Sequence, residues 1–349
     1  MNPVTIGNRR IAQGAPCYVI AEAGVNHNGD VDLGRRMIDA AAAAGADAVK
    51  FQTFSADRLA ASDAAKADYQ MRTTSSSESQ YEMLKSLELT TQAHEALMRH
   101  CASRNIMFLS SPFDEDAADL LDAMNVAAFK IPSGEIVNLP FLQYVAAKCR
   151  PMILSSGMAT LEEVEAAVTA IRAQRNDDIV VLHCVSDYPA RPAEVNLRAM
   201  ATIRTACGVT VGFSDHTEGN AVALAAVALG ACLIEKHFTL DRNLPGPDHL
   251  ASSEPDELAA LVEGIRSVEA ALGDGCKEPQ PSEMQNRLLM RKSLMAKRDL
   301  PAGSTVRQDD LMALRPGTGI SPARAPEIIG RRLSVSVRAG SQISWDMLA

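Results

Sequence analysis

Residues 210–238 read TVGFSDHTEGNAVALAAVALGACLIEKHF. An apolar run at 210–213 stops at Ser214-Asp215-His216, an apolar helical segment spans 221–229, and a second apolar run stops at Glu235-Lys236-His237. Strand, helix and strand with short connections are typical of a parallel βαβ unit, whose strands are covered on both faces. Because parallel strands end at the same edge of a sheet, the sequence predicts that His216 and His237 lie side by side. Either histidine alone would more often pack or hydrogen-bond at a strand end, but the pair indicates a divalent metal site with open positions.

Composition narrows the class of protein. The 349 residues are 47% hydrophobic, which suits one large core and a smaller second domain. The net charge of −9 argues against general affinity for nucleic acid or anionic membranes. Seven cysteines without a CxxC pair indicate reduced thiols. No signal peptide or membrane-length apolar segment is evident, so we expect a soluble cytoplasmic protein.

The strand–helix alternation recurs along most of the chain. Further strands are predicted at 18–21, 48–52, 106–109, 127–131, 152–154 and 179–182. Eight strand–helix units match a (β/α)₈ TIM barrel. A doubly wound open sheet is the alternative, but it usually has fewer strands, and no glycine-rich dinucleotide motif is present. Residues 54–88 interrupt the pattern with a long polar connection, serine-rich at 75–79, which predicts either a disordered segment or a functional lid.

The C-terminal region predicts a separate domain. We expect the barrel at 1–276, a proline-bearing linker at 277–284 and a small β-rich domain at 285–349. Within this domain the segment 302–311 recurs as 339–348, which predicts internal pseudo-symmetry. Between the two copies a rigid turn presents Arg315, which by itself would be an ordinary exposed charge.

Polar side chains end every predicted barrel strand. The active site of a TIM barrel lies at these carboxyl ends. Lys50 and Lys130, with strand-end serines and backbone amides, predict a site for a phosphate monoester or carboxylate. The neighbouring histidines and carboxylates suit Mn²⁺, Mg²⁺ or Zn²⁺ acting as a Lewis acid on a carbonyl. Together these sites predict carbon–carbon bond chemistry or phosphate elimination.

Five motifs in order resemble the bacterial sialic acid synthases across essentially the whole chain. They are AEAGVNHNG (21–29), VKFQT (49–53), FKIPSGE (129–135), GFSDH (212–216) and EKHFT (235–239) with PGPDH (245–249). The tail, with Arg315-Pro316-Gly317, is similar to the antifreeze-like (β-clip) domain of that family.

The resemblance implies condensation of phosphoenolpyruvate with open-chain N-acetylmannosamine, giving N-acetylneuraminate and phosphate. It implies that His216 and His237 bind Mn²⁺ or Mg²⁺, and that Glu22 acts on the attacking water. The residues implied to bind phosphoenolpyruvate are Lys50, Ser111, Lys130, Ser133, Ser155, Ser156, Ser186 and Ser214. Those implied to line the sugar pocket are Gln52, Tyr188, Glu235, Asp248 and Arg315. Arg315 would come from the partner subunit of a domain-swapped homodimer.

Three alternatives remain. A sister synthase would make N,N'-diacetyllegionaminate or pseudaminate from a 2,4-diacetamido-trideoxyhexose. Ser111 and Ser186 stand where some relatives carry threonine and asparagine, which leaves the phosphoenolpyruvate assignment intact and the sugar open. A Schiff-base aldolase would use Lys130 or Lys50. A carbohydrate-binding scaffold would bind sugar without turnover.

Overall fold

The computed structural model describes residues 3–74 and 78–349, and the chain divides into two compact units between Gly273 and Asp274. The first unit opens with an antiparallel hairpin, β1 (Val4–Ile6) and β2 (Arg9–Ile11). The predicted boundaries of the barrel, linker and tail remain predictions. Within the described ranges, no helix is both long and apolar enough to span a membrane.

Among the residues that the structure describes, eight parallel strands follow the hairpin. They are β3 (Tyr18–Gly24), β4 (Ala48–Thr53), β5 (Met107–Pro112), β6 (Phe129–Ile131), β7 (Met152–Ser155), β8 (Ile179–His183), β9 (Thr210–Asp215) and β10 (Leu233–His237). Their order in the sheet is β5-β4-β3-β10-β9-β8-β7-β6, and β5 also lies against β6. This closed order confirms the predicted (β/α)₈ barrel.

Helices cover the outside of the sheet. They are α1 (Val31–Ala43), α5 (Thr91–Ser103), α6 (Glu115–Ala123), α7 (Leu139–Ala146), α8 (Leu161–Arg172), α9 (Ala199–Cys207), α10 (Ala221–Ala228) and α11 (Pro255–Leu272). Several begin at a side-chain cap, such as Asp30 before α1 and the Thr160–Glu163 capping box of α8. α10 is apolar on all sides, and it packs Ala223, Ala226 and Val227 against its neighbours, which include the sheet and α11.

Strand alternation separates two apolar layers. Outward residues such as Val19 and Ala21 join the large core between sheet and helices, whereas Tyr18 and Ile20 point into the barrel. The hairpin contributes Val4 and other apolar side chains to this inner layer. The next inward position on β3 is Glu22, so polar side chains occupy the carboxyl-terminal half of the barrel interior.

The described part of the long connection after β4 contains three helices: α2 (Ala56–Leu59), α3 (Asp68–Thr73) and α4 (Gln80–Leu87). Residues 75–77 of the predicted serine-rich stretch lie outside the described residues. Met83 and Leu87 of α4 pack with Val25 and Phe54 in a small apolar cluster. The described part of this connection is therefore largely helical, and a role as a lid stays a prediction.

The second unit contains α12 (Met284–Met290), β11 (Ser293–Ala296), β12 (Leu311–Leu314) and α13 (Ala325–Ile328). β11 and β12 pair antiparallel. The sequence repeat is visible in the backbone: the amide of Lys297 donates to Asp310, and the amide of Ser334 donates to Met347. The two copies therefore share a conformation, as the offset of the repeat predicts.

Candidate active site

A cavity of about 520 Å³ opens at the carboxyl ends of the barrel strands. Glu22, Lys50 and Glu235 point into it because each lies two residues after an inward apolar residue of its own strand. The sequence-predicted residues that line it are Glu22, Lys50, Gln52, Lys130, Ser133, Ser155, Ser186, Tyr188, Ser214, His216, Glu235, His237 and Asp248. The structure thus brings most of the predicted residues together in one place.

A buried network of two lysines and two glutamates forms the floor of the cavity. The ammonium of Lys50 lies 2.8 Å from Glu22 Oε1 and 3.0 Å from Glu235 Oε2. Lys130 donates to Ser155 Oγ at 2.7 Å and lies 3.4 Å from Glu235 Oε1. The charges of these four side chains cancel. An anion that binds the lysines must therefore compete with these carboxylates. The sequence did not predict this competition.

Burial and charge act in opposite directions on these groups. Burial alone would raise the pKa of Glu22, but His237, Lys50 and Lys130 outweigh it and hold that pKa well below its usual range. Burial would lower the pKa of Lys50, yet Glu22 and Glu235 raise it overall. Burial lowers the pKa of Lys130, which Glu235 only partly offsets. Glu22 is therefore a stable carboxylate, suited to electrostatic stabilisation and to orienting water.

The two predicted histidines lie together, with ring centroids 5.6 Å apart. His216 Nδ1 is 2.5 Å from the carbonyl of Val185. Nδ1 is the donor in this contact, which leaves a lone pair on Nε2. Burial, reinforced by His237, lowers the pKa of His216 to about 4, so this imidazole is neutral at physiological pH. His237 Nε2 lies 3.5 Å from Glu22 Oε2, and its buried Nδ1 has no hydrogen-bond partner among the described residues.

These donors fit a divalent metal. A neutral imidazole, a second imidazole with an unpartnered buried nitrogen and a carboxylate are groups that such ions bind. The described residues contain no group of three or more histidine, cysteine, aspartate or glutamate side chains placed to hold a metal ion. Any metal bound by this pair would need further ligands from water or substrate.

A close approach at Gly157 shapes the serine side of the cavity. Its amide donates to Ser133 Oγ at 3.0 Å, and a Cβ at this position would lie 2.2 Å from Ser186 Oγ. Only glycine leaves room for both hydroxyls. Cys184 Sγ lies 3.3 Å from Ser133 Oγ. Sequence reasoning missed Gly157 and Cys184, although a glycine directly after Ser155 and Ser156 was a usable signal.

Three predicted residues are not among the lining residues of this cavity. Ser111 is buried, and its hydroxyl has no partner in the part of the chain that the structure describes. The Ser156 hydroxyl donates to the carbonyl of Leu182 at 3.0 Å. Arg315 belongs to the second unit, where its Nε donates to Met290. Their roles in binding stay predictions.

A second buried ion pair lies on the opposite face of the same strand ends. Lys236 Nζ donates to Asp215 Oδ2 at 2.8 Å and to the carbonyl of Thr217 at 2.8 Å. Because neighbouring residues on a strand point to opposite faces, this pair joins β9 to β10 directly behind the two histidines. The sequence interpretation placed Asp215 at the polar rim and missed this structural pairing.

Comparisons with known proteins agree with this geometry. Residues 37–277 match the model of the NeuB family, and residues 291–349 match the SAF domain. The chain is 48% identical to the N,N'-diacetyllegionaminic acid synthase of Legionella pneumophila, over 95% of this chain and 94% of that protein. It is 35% identical to the human N-acetylneuraminate-9-phosphate synthase, over 95% of this chain and 93% of that protein. The crystal structure of N-acetylneuraminic acid synthetase from Leptospira borgpetersenii superposes with a TM-score of 0.72 at 36% identity, covering 82% of this chain and 95% of that one.

Proposed function

Because this chain belongs to the NeuB family and ends in a SAF domain, we propose that it condenses phosphoenolpyruvate with an N-acylated hexosamine, releasing a nonulosonate and phosphate. The observation that carries this proposal is the convergence of two buried lysines and a histidine pair in one cavity. The lysines suit the anion and the histidines suit a metal that binds the sugar carbonyl.

The similarity favours the alternative sugar over N-acetylmannosamine. The chain is 48% identical to an N,N'-diacetyllegionaminic acid synthase and 35% identical to an N-acetylneuraminate-9-phosphate synthase. We therefore propose a 2,4-diacetamido-2,4,6-trideoxyhexose as the substrate and N,N'-diacetyllegionaminate as the product. N-acetylneuraminate from N-acetylmannosamine is the second candidate.

Phosphoenolpyruvate would bind at Lys50 and Lys130. Lys130 is the more available cation, because its carboxylate contact of 3.4 Å is longer than either contact of Lys50. The hydroxyls assigned to the same ligand are those of Ser111, Ser133, Ser155, Ser156, Ser186 and Ser214. Their donors would direct the phosphate and carboxylate groups.

His216 and His237 would hold the metal, Mn²⁺ or Mg²⁺. When bound, this ion supplies Lewis-acid polarisation of the sugar aldehyde. Tyr188 packs against His216, with ring centroids 4.3 Å apart, and so can place the sugar beside the histidines. The residues proposed to line the sugar site are Gln52, Tyr188, Glu235, Asp248 and Arg315.

The proposed reaction forms one carbon–carbon bond and replaces one carbon–oxygen bond at C2, that to phosphate, by another, that to the oxygen of water. C3 of phosphoenolpyruvate attacks the aldehyde carbon, and positive charge develops at C2, which bears the phosphate. The Glu22 carboxylate stabilises this charge, since its pKa keeps it ionised. Water adds at C2, and the tetrahedral intermediate expels phosphate as its C–O bond breaks.

Phosphate release with three sugars tests this proposal. The purified protein is supplied with phosphoenolpyruvate, Mn²⁺ and one of 2,4-diacetamido-2,4,6-trideoxymannose, its altrose isomer or N-acetylmannosamine. We expect the first sugar to give the highest kcat/KM. Borohydride trapping of a pyruvate adduct on Lys130 or Lys50 would instead support the aldolase. Sugar binding without phosphate release would support the scaffold.

We also propose that the protein is a domain-swapped homodimer in which Arg315 completes the partner's sugar site. The support is the family resemblance of the tail and the proline-bearing linker before it. A two-fold axis would make this exchange reciprocal.

A further inference from the structure

The insertion between β4 and α5 covers part of the cavity with one face of α4. Gln80, Met83, Leu84 and Leu87 follow the spacing of a single helical face, and all four line the cavity. On the opposite face, Lys85 binds Asp57 of α2 at 2.9 Å. The insertion therefore presents a defined wall to whatever occupies the cavity.

Most of this wall is apolar, in contrast to the ionic floor. Met83 and Leu87 are buried in the small cluster with Val25, and Leu59, Leu84 and Phe113 pack against that cluster. Each of these side chains is apolar, and each lines the cavity. A hydroxyl pressed against such a surface loses its hydrogen bonds to water, which is unfavourable.

An amide pair interrupts the apolar surface. Gln70 Oε1 accepts from the amide of Ala67 at 3.0 Å and from Gln80 Nε2 at 3.4 Å. Among the described residues, Gln70 Nε2 and Gln80 Oε1 have no hydrogen-bond partner. The pair thus offers one free donor and one free acceptor. An acetamido group carries the complementary carbonyl and N–H.

We propose that this wall selects a hexosamine with an acetamido group at C4 and a methyl group at C6. The inference rests on the proposed synthase function. With phosphoenolpyruvate on the lysines and C1 of the sugar beside the histidines, the C4–C6 end of the open chain extends toward the insertion. Gln70 and Gln80 bind the C4 acetamido group, while Leu84 and Leu87 contact its methyl group and C6. N-acetylmannosamine places hydroxyl groups at both positions.

Two variants on the cavity face test the wall. Gln80→Leu removes the free acceptor at nearly constant size, and Leu84→Gln adds a polar partner to the apolar surface. Lys85→Leu, on the outward face of the same helix, is the matched control. For each protein, kcat/KM is measured with 2,4-diacetamido-2,4,6-trideoxymannose and with N-acetylmannosamine, together with the KM for phosphoenolpyruvate. The ratio of the two sugar values is internal to each protein and does not depend on the folded fraction.

We expect the wild-type protein and Lys85→Leu to prefer the diacetamido sugar equally. The preference should fall about 10-fold to 100-fold in Gln80→Leu and about 10-fold in Leu84→Gln, with the KM for phosphoenolpyruvate unchanged. A ratio unchanged in both cavity-face variants would overturn the inference while leaving the synthase function intact. Wild-type preference for N-acetylmannosamine would do the same. Turnover of neither sugar would overturn the proposed function and this inference with it.

Discussion

Replacing Lys236 with methionine tests how far the ion pair behind the histidines stabilises the barrel. The side chains of Asp215 and Lys236 are 0% and 4% exposed. Losing the cation leaves a buried carboxylate whose remaining donors are the Thr217 amide at 2.9 Å and hydroxyl at 2.8 Å. Breaking a buried ion pair lowers the free energy of unfolding by about 3–5 kcal/mol. Because two hydrogen bonds to the carboxylate are retained, we expect Lys236→Met to lower it by about 3 kcal/mol.

Urea unfolding measures this loss. With an m-value of about 3 kcal/mol/M for a barrel of this size, the midpoint should fall by about 1 M. Far-ultraviolet circular dichroism follows mainly the first unit, which contains most of the helices. Trp345 is the only tryptophan and lies in the second unit, so its fluorescence follows that unit separately.

A second substitution separates loss of the cation from loss of packing. Adding Asp215→Asn removes the uncompensated charge and keeps an oxygen that accepts from Thr217. It should therefore restore about 1–2 kcal/mol of the free energy of unfolding. The control is Arg35→Met, which breaks an exposed pair with Asp32 and should cost no more than about 1 kcal/mol. If Lys236→Met cost no more than Arg35→Met, the argument from burial would be refuted.

The remaining predictions concern the proposed reaction. Chelation should abolish phosphate release and Mn²⁺ restore it, whereas His216→Ala should not recover at ordinary Mn²⁺ concentrations; full activity in excess chelator would reject the metal role. Phosphoenolpyruvate labelled in its bridging oxygen should deliver the label to phosphate, and label in the sugar acid would overturn carbon–oxygen cleavage. Gly157→Ala should raise the KM for phosphoenolpyruvate about 10-fold, because a Cβ would lie 2.2 Å from Ser186 Oγ, and an unchanged KM would contradict the crowding argument. Mixed His237→Ala and Arg315→Ala subunits should regain roughly a quarter of wild-type activity after exchange, and no recovery in confirmed heterodimers would refute the swap.

The sequence by itself determined the barrel and the position of most of the candidate site. Apolar runs that end in polar residues, separated by helical segments, specify parallel strands, and these strands must end at one edge of the sheet. His216 and His237 are brought together by this rule, which needs only the order of the elements. The repeat in the tail was visible for a similar reason, because residues with the same local pattern adopt the same backbone.

Only the tertiary structure decided which groups oppose one another across the barrel. Lys50 lies on β4, yet one of its two carboxylates is Glu235 on β10, so its pairing depends on the closure and register of the sheet. The same holds for Gly157, whose lack of a side chain matters only because Ser186 approaches it from another strand end. Asp215 looked like a member of the rim, but strand alternation turns it and its partner Lys236 away from the cavity. A local pattern specifies strands and their ends, whereas distances between side chains on different strands exist only after the barrel closes.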